Sequence, residues 1–321
     1  MNEDSENKYI CTYFDKNFLP RGLALYKSIG RFHNSFIFYV LALDNETYDY
    51  LQSLEYENLV IISPSSYNSY FNISPDRYSD KKQYYFSATP NLCLYIMQNY
   101  PEVNLLLYLD ADVYVFNSLD CLYDEMGEAS IAICSHRFHP LFKLLSKNYG
   151  HYNVGVNIFR RSEEGIKCLN DWKNDCDSWY PGKPDYPFKI FYDQIFLDGW
   201  TDRYNEIKVI ENIGVDVAPW NIVNYRFTIR NGSYFVNGKP LIIYHFSSLK
   251  KISENVWNGN TIYYFCSIKG VLRNIYRDYI KEIESFNLDN TKFISITHND
   301  SRIKKAYHYI MSFIMNENIV V

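Results

Sequence analysis

Apolar residues in the first half of the chain fall into short blocks separated by longer stretches with helical spacing, the rhythm of strands and helices taken in turn. The blocks predict strands over residues 9–14, 36–43 and 59–63, and the longer stretches predict helices over 19–32 and 46–54. Residues 65–83, rich in tyrosine and serine, show no clear period and read as a loop able to close over a site. A helix over 90–99 then leads through Pro101 into residues 103–109, which are nearly all apolar, as a strand buried on both faces would be. Strand, helix and strand in succession imply a mostly parallel α/β sheet flanked by helices.

The second half is more mixed. Strands are expected over 130–134, 154–159, 207–210, 234–236 and 241–244, with a helix over 163–172. Gly and Asn turns between the later strands suit a smaller, acceptor-side half of the same domain. No internal repeat and no Pro- or Gly-rich linker divides residues 8–250. In the tail, Ile268, Leu272, Ile275, Tyr279 and Ile283 share one helical face, with Lys269, Arg273, Arg277 and Lys281 off it. After a polar stretch over 287–301, residues 302–315 are again amphipathic, with Ile303, Tyr307, Ile310 and Ile314 on one side and Lys304 and Lys305 flanking. That face fits a membrane surface, the core or a second copy alike. The expected division is a main domain over 1–257 and a C-terminal helical extension over 258–321.

Composition narrows the class. With 321 residues and 47% hydrophobic content the chain can bury a sizeable core. A net charge of -5, from 37 acidic and 32 basic residues, offers no general basic field, so nucleic acid is not expected as a partner. Seven cysteines, odd in number and scattered without a Cys-x-x-Cys pair, read as reduced thiols. The polar start MNEDSENKYI lacks the regions of a signal peptide, and no apolar run reaches the length of a membrane span, so a cytoplasmic protein is expected, with peripheral contact at the inner membrane face through its tail as an option. Aromatic residues are frequent, at 18%, but tyrosines serve cores well when the hydroxyl finds a partner, and no function follows from their number.

The most informative segment is YLDADVYVF, residues 108–116, where an apolar run delivers Asp110 and Asp112 one residue apart. Both carboxylates can reach one cation, and the end of a buried strand is the rim at which open α/β sheets bind ligands. A divalent metal on hard oxygen ligands can neutralise a leaving group such as a nucleoside diphosphate. The plain alternative is a solvated turn after a strand. His245, after the apolar run 241–244, also belongs at a strand end, where it reads either as a hydrogen-bonded structural residue or as a third ligand.

YLDADVYVF resembles the Asp-x-Asp motif of glycosyltransferases with the GT-A fold, in particular the glycogenin and galactosyltransferase-like group and related bacterial nucleotide-diphospho-sugar transferases. ICTYFDKNFLPRGLALYKSI near the start, HYNVGVNIF and YDQIFLDGW in the middle, and YHFSSLK near residue 250 follow in the family's order and extend the resemblance over about residues 8–250. It implies a Rossmann-like GT-A domain and a metal-dependent, retaining transfer of a sugar from a UDP-linked donor to a saccharide or lipid-linked saccharide, in bacterial surface polysaccharide synthesis.

Carried over residue by residue, the resemblance implies Asp110, Asp112 and His245 as metal ligands, and the mixed oxygen and nitrogen set suits Mn2+ or Mg2+. It puts Thr12, Tyr13, Asp15 and Asn17 at the base and ribose, where Asp15 and Asn17 otherwise read as the turn into a helix. It puts Asn153 and Gly155 at the donor sugar, Asp110 and Lys250 at the diphosphate, and Asp193 and Gln194 beside the reacting carbon. Asp193 otherwise reads as an acid at a helix start. The family pattern His-x-Gly-x-x-Lys stands here as His245 to Lys250 with Ser247 in place of the glycine, which puts a close backbone contact to phosphate in doubt. His136 and Arg137 after the strand 130–134 are further candidates for facing the donor, and Trp220 reads equally as an acceptor platform or a core residue.

Three rivals are weighed against this. A phosphatase using the Asp-x-Asp pair would want a threonine where Tyr114 stands. A nucleotidyltransferase would want a glycine-rich phosphate loop near the first strand, and none is present. A non-catalytic sugar-nucleotide-binding relative would share the same motifs.

Overall fold

Seven of the apolar blocks assemble into one sheet. The computed structural model describes residues 7–73, 81–145, 149–178, 193–261, 264, 266–288 and 317–321. Strands β1 (Lys8–Phe14), β2 (Phe36–Ala42) and β3 (Leu59–Ile62) are parallel neighbours, joined through helices α1 (Leu19–Gly30) and α2 (Asn45–Gln52). Asp44 starts α2 by accepting from the Thr47 amide at 2.7 Å, and Ser63 starts α3 (Pro64–Phe71) by accepting from Ser66 at 3.0 Å. Helix α4 (Lys81–Asn99) leads to β4 (Leu105–Leu109), which lies parallel to β1 on its other side.

The short strand β5 (Val113–Val115), helix α5 (Asp120–Met126), β6 (Ile131–Ser135), β7 (Tyr152–Arg160), helix α6 (Glu163–Ser178) and β8 (Ile207–Ile210) follow. The sheet order is β3-β2-β1-β4-β7-β6-β8, with β7 alone running against the rest. This is the mixed, mostly parallel sheet expected from the sequence. Alternation along β4 serves two cores: Leu107 and Leu109 pack with α1 and α5, while Leu106 and Tyr108 pack with α4 and α6.

Beyond the sheet, β9 (Phe227–Arg230), β10 (Ser233–Val236) and β11 (Lys239–Pro240) form an antiparallel meander. Its turns are Asn231–Gly232 and Asn237–Gly238, all four residues at positive φ, the pairing that matches the twist of a tight hairpin. Strand β12 (Ile243–His245) pairs antiparallel with β5, and β13 (Lys250–Ser253), β14 (Val256–Asn258) and β15 (Asn318–Val320) form a third small sheet. Helix α7 (Val271–Ser285) buries Leu272, Ile275, Tyr279 and Ile283, as their spacing predicts, and packs on α1, where Glu282 pairs with Arg31 and lies 3.6 Å from Lys27.

Some boundaries differ from expectation. The helix expected over 90–99 begins at Lys81 and carries Pro90 inside it. Proline cannot donate to the Phe86 carbonyl, and Cys176 Sγ of α6 approaches that oxygen at 3.9 Å instead. Part of the aperiodic stretch 65–83 is helical in α3 and α4, while residues 74–80, the middle of the expected lid, lie outside the described residues. Helix α6 continues past 172 because Cys176 extends the buried stripe of Cys168 and Trp172. The amphipathic segment 302–315 lies outside the described residues. No described helix is long and apolar enough to cross a membrane.

Candidate functional site

Strand β4 ends at Leu109, and the chain turns through Asp110 and Asp112 into β5. Across β7, the Asp110 amide donates to the Gly155 carbonyl at 3.0 Å, and the Val113 amide closes the turn on the Asp110 carbonyl at 3.2 Å. The β5–β12 pairing sets His245 opposite Val113, and the Phe246 amide donates to the Asp112 carbonyl at 2.9 Å. Local backbone bonding therefore brings the three side chains together. His245 Nε2 lies 3.1 Å from Asp112 Oδ1 and 3.8 Å from Asp110 Oδ2. One ligand atom from each of the three residues falls within 4.8 Å of the others.

Gly155 makes this meeting possible. A Cβ there would stand 2.6 Å from His245 Nδ1 and 2.7 Å from Asn153 Oδ1, closer than packed atoms come. The glycine expected at the donor sugar also seats the imidazole.

The far side of the ring holds a residue that sequence reasoning missed. His245 Nδ1 is 3.4 Å from Oδ1 of Asp216, which is fully buried and sits at a φ of 53°. Asp216 is held by its loop: Asn221 Nδ2 donates to its carbonyl at 3.0 Å, and the Arg137 guanidinium donates to the carbonyls of Asn212, Val215 and Asp216. A carboxylate on Nδ1 keeps one proton there, so it is Nε2 that faces Asp110 and Asp112 and would give up its proton to bind a cation. The signal available in the sequence was an acid between Val215 and Val217. Arg137 is thereby corrected: it clamps the Asp216 loop and does not line the cleft.

The charges are strongly interdependent. Burial alone would lower the His245 imidazole, but Asp112, Asp216 and Asp110 outweigh burial and hold it well above its usual range. Burial would raise Asp112, yet His245 and Arg21 pull it below the usual carboxylate range. Asp110, with 31% of its side chain exposed and its Oδ1 accepting from the Tyr108 hydroxyl at 2.7 Å, is raised by burial and by Asp112, against the pull of His245. The carboxyl of Asp193 is pushed up to about 8, first by burial and then by the charge of Asp110.

These groups face a cleft of about 590 Å3 whose wall includes Tyr13, Asp110, Asp112, Asn153, Asp193, Gln194 and His245. His136, Trp220, Ser247 and Ser248 join them. A smaller cavity of about 220 Å3, lined by Asp15, Phe18 and Tyr85, shares Tyr13, Asp110 and Asp112 with it. Seven of the expected site residues thus meet in one cleft and Asp15 borders the adjoining cavity. Asp15 also forms the turn into α1, its Oδ1 accepting from the Asn17 amide and its Oδ2 from Asn17 Nδ2, each at 2.9 Å. Thr12 is fully buried in β1, and Asn17 and Lys250 line neither cavity. The left-handed backbone of the 246–249 turn falls at Ser248, with a φ of 65°, and not at Ser247, so the missing glycine is not demanded by backbone conformation. Trp220, 6% exposed, stands edge-on between His136 and His245 and fills the space between them.

Two outcomes follow from this geometry. Gly155→Ala should displace His245 and cost about 1–3 kcal/mol of stability in urea denaturation, as overpacking does; a variant as stable as the parent would contradict the close approach. Because the folded pKa of Asp193 lies above an unfolded value of about 3.9, its contribution to stability is present at low pH and lost as pH rises from about 4 to about 8. Asp193→Asn should flatten that loss and exceed the parent in stability above about pH 8; identical pH profiles would contradict a buried carboxyl.

No protein-family model matches the chain. The uncharacterized protein YfnD of Bacillus subtilis is 22% identical over 86% of this chain and 88% of its own length, and YfnF of the same organism is 24% identical over 76% and 82%. Among solved structures, the bifunctional glycosyltransferase WbbM superposes with a TM-score of 0.51 at 13% identity, covering 92% of this chain, which spans about half (53%) of the WbbM chain. The galactosyltransferase LgtC, solved with donor and acceptor sugar analogs, gives a TM-score of 0.48 at 17% identity over 74% of this chain and 87% of its own. In its sheet order, its single reversed strand and its superposition on WbbM, the chain has the GT-A glycosyltransferase fold.

Proposed function

We propose that this protein is a metal-dependent glycosyltransferase that moves a sugar from a UDP-linked donor to a saccharide or lipid-linked saccharide in bacterial surface polysaccharide synthesis. The observation that carries the reading is the convergence of Asp110, Asp112 and His245 on one face of a cleft that also holds Asn153, Asp193 and Gln194. The donor set fits a divalent cation: two carboxylates and an imidazole whose Nε2 faces them and can exchange its proton for the ion, with Asp216 fixing the ring from behind. Its mixed oxygen and nitrogen character favours Mn2+ or Mg2+. When bound, such a cation supplies charge to offset a departing diphosphate.

The remaining roles belong to the chain's own side chains. Tyr13 and Asp15, which border the smaller cavity, are assigned to the base and ribose, with Thr12 and Asn17 shaping that strand end. Asn153 is assigned to the donor sugar, and Lys250 to the diphosphate as a point charge. Asp193 and Gln194 are assigned to the reacting carbon, with retention of its configuration as the expected outcome. In the free protein Asp193 is protonated near neutral pH and can donate a hydrogen bond to a sugar hydroxyl. Residues 1–257 are taken as the transferase unit and 258–321 as an extension, which packs on α1 through α7. Peripheral contact of that extension with a membrane belongs to the same proposal.

Calorimetric titration of UDP with and without Mn2+ tests the reading. Binding should require the metal, vanish in Asp112→Ala, and weaken in Asp216→Asn through a metal affinity lowered by about 10- to 100-fold. Metal-independent UDP binding, or an Asp112→Ala variant that binds like the parent, would remove the triad from the donor site.

A further inference from the structure

We propose that His136 is a positioning residue: its Nε2 accepts a hydrogen bond from Asn153, and Asn153 in turn holds the side-chain oxygen of Gln194 at the cleft wall. The inference rests on reading Gln194 as a group beside the reacting sugar, and it assigns a role to a histidine that the transfer mechanism itself leaves unused.

The argument begins with one backbone amide. Gly155 N donates to Asn153 Oδ1 at 2.7 Å, and only the oxygen of that amide can accept, so its orientation is fixed. Asn153 Nδ2 is left with two hydrogens and two neighbours, Gln194 Oε1 and His136 Nε2, each at 3.3 Å. Both must therefore accept. For Gln194 this leaves its amide hydrogens and one oxygen lone pair for the cleft. For His136 it requires a lone pair on Nε2 and the proton on Nδ1, a buried atom with no hydrogen-bond partner among the described residues.

The surroundings hold the ring in that state. His136 is 3% exposed, stacked on Phe138 at 4.7 Å and 11°, and met edge-on by Trp220 at 5.3 Å. Its own amide donates to the His151 carbonyl at 2.9 Å, and its carbonyl accepts from Asn221 Nδ2 at 3.1 Å. Burial lowers the imidazole to about 3, so the ring is neutral through the range in which the protein would work. A charged ring would turn an N–H towards the Asn153 N–H and break the chain of donors. Gly155 thus anchors two arrangements at once, the seating of His245 on one side and the amide relay to Gln194 on the other.

The test compares His136→Leu, which cannot accept, with His136→Gln, whose oxygen can. Mn2+-dependent UDP affinity should stay within about twofold in both, while kcat for hydrolysis across a panel of UDP-sugars falls at least about tenfold in H136L at unchanged KM and recovers in H136Q. Parental kcat in H136L, or a loss confined to KM, would overturn the proposal. A second readout needs no turnover: in the metal-free protein the Gln194 side-chain amide resonances should move in H136L and return in H136Q, and unmoved resonances would overturn it. If H136L does not fold, nitrogen NMR of the parent decides, since a protonated Nε2 on His136 contradicts the relay. A parent inactive on every UDP-sugar would count against the transferase reading, while the resonances would still decide the role of His136.

Discussion

The structure turns on the contact between Gly155 and the His245 ring. β4, β7 and β12 come from distant parts of the chain, and they meet where β7 carries no side chain. The Gly155 carbonyl receives the Asp110 amide, its amide orients Asn153, and its open face admits His245 to within reach of Asp112. A methyl group at this one position would separate the imidazole from the carboxylates. The antiparallel course of β7 within an otherwise parallel sheet matters for the same reason, because it brings residues 153–155 to the end of β4 at which Asp110 emerges.

Around that contact the protein buries more charge than it neutralises with fixed partners. Asp110, Asp112 and Asp216 gather about a single histidine, Asp193 feels the charge of Asp110, and Arg137 spends its guanidinium on the carbonyls of the Asp216 loop. Burying like charges together is costly unless a compensating charge joins them. The raised Asp110 and Asp193 carboxyls are the direct expression of that cost. A cleft arranged in this way is matched to a cation and to a substrate bearing hydrogen-bond acceptors and hydroxyls, and poorly matched to a structural role alone.

Much of this was legible in the sequence where the signal is local. The strands of the sheet follow from apolar blocks, and the emergence of Asp110 and Asp112 at a strand end follows from the run before them. α7 follows from Leu272, Ile275, Tyr279 and Ile283 at helical spacing, while Ile268 of the same expected face lies just before the helix. What the sequence hid depends on tertiary contacts. Pro90 reads as a helix start, yet it lies within α4, which packs along α6. Arg137 reads as a candidate for facing the donor, yet a loop 75 or more residues away takes its donors. Asp216 lies in no motif, and its purpose appears only when β12 sets His245 in front of it. Gly155 was singled out for the absence of a side chain, and the seating of the imidazole that this absence permits was not legible.

The most direct test of the account is a crystal structure of the protein grown with Mn2+ and UDP, with anomalous scattering recorded at the manganese edge. The account predicts one anomalous peak bonded to Asp110, Asp112 and His245 Nε2, with His245 Nδ1 still on Asp216 and the diphosphate on the open side of the ion. A UDP molecule seated in the cleft with no peak at those three residues, or a peak held by other side chains, would contradict it.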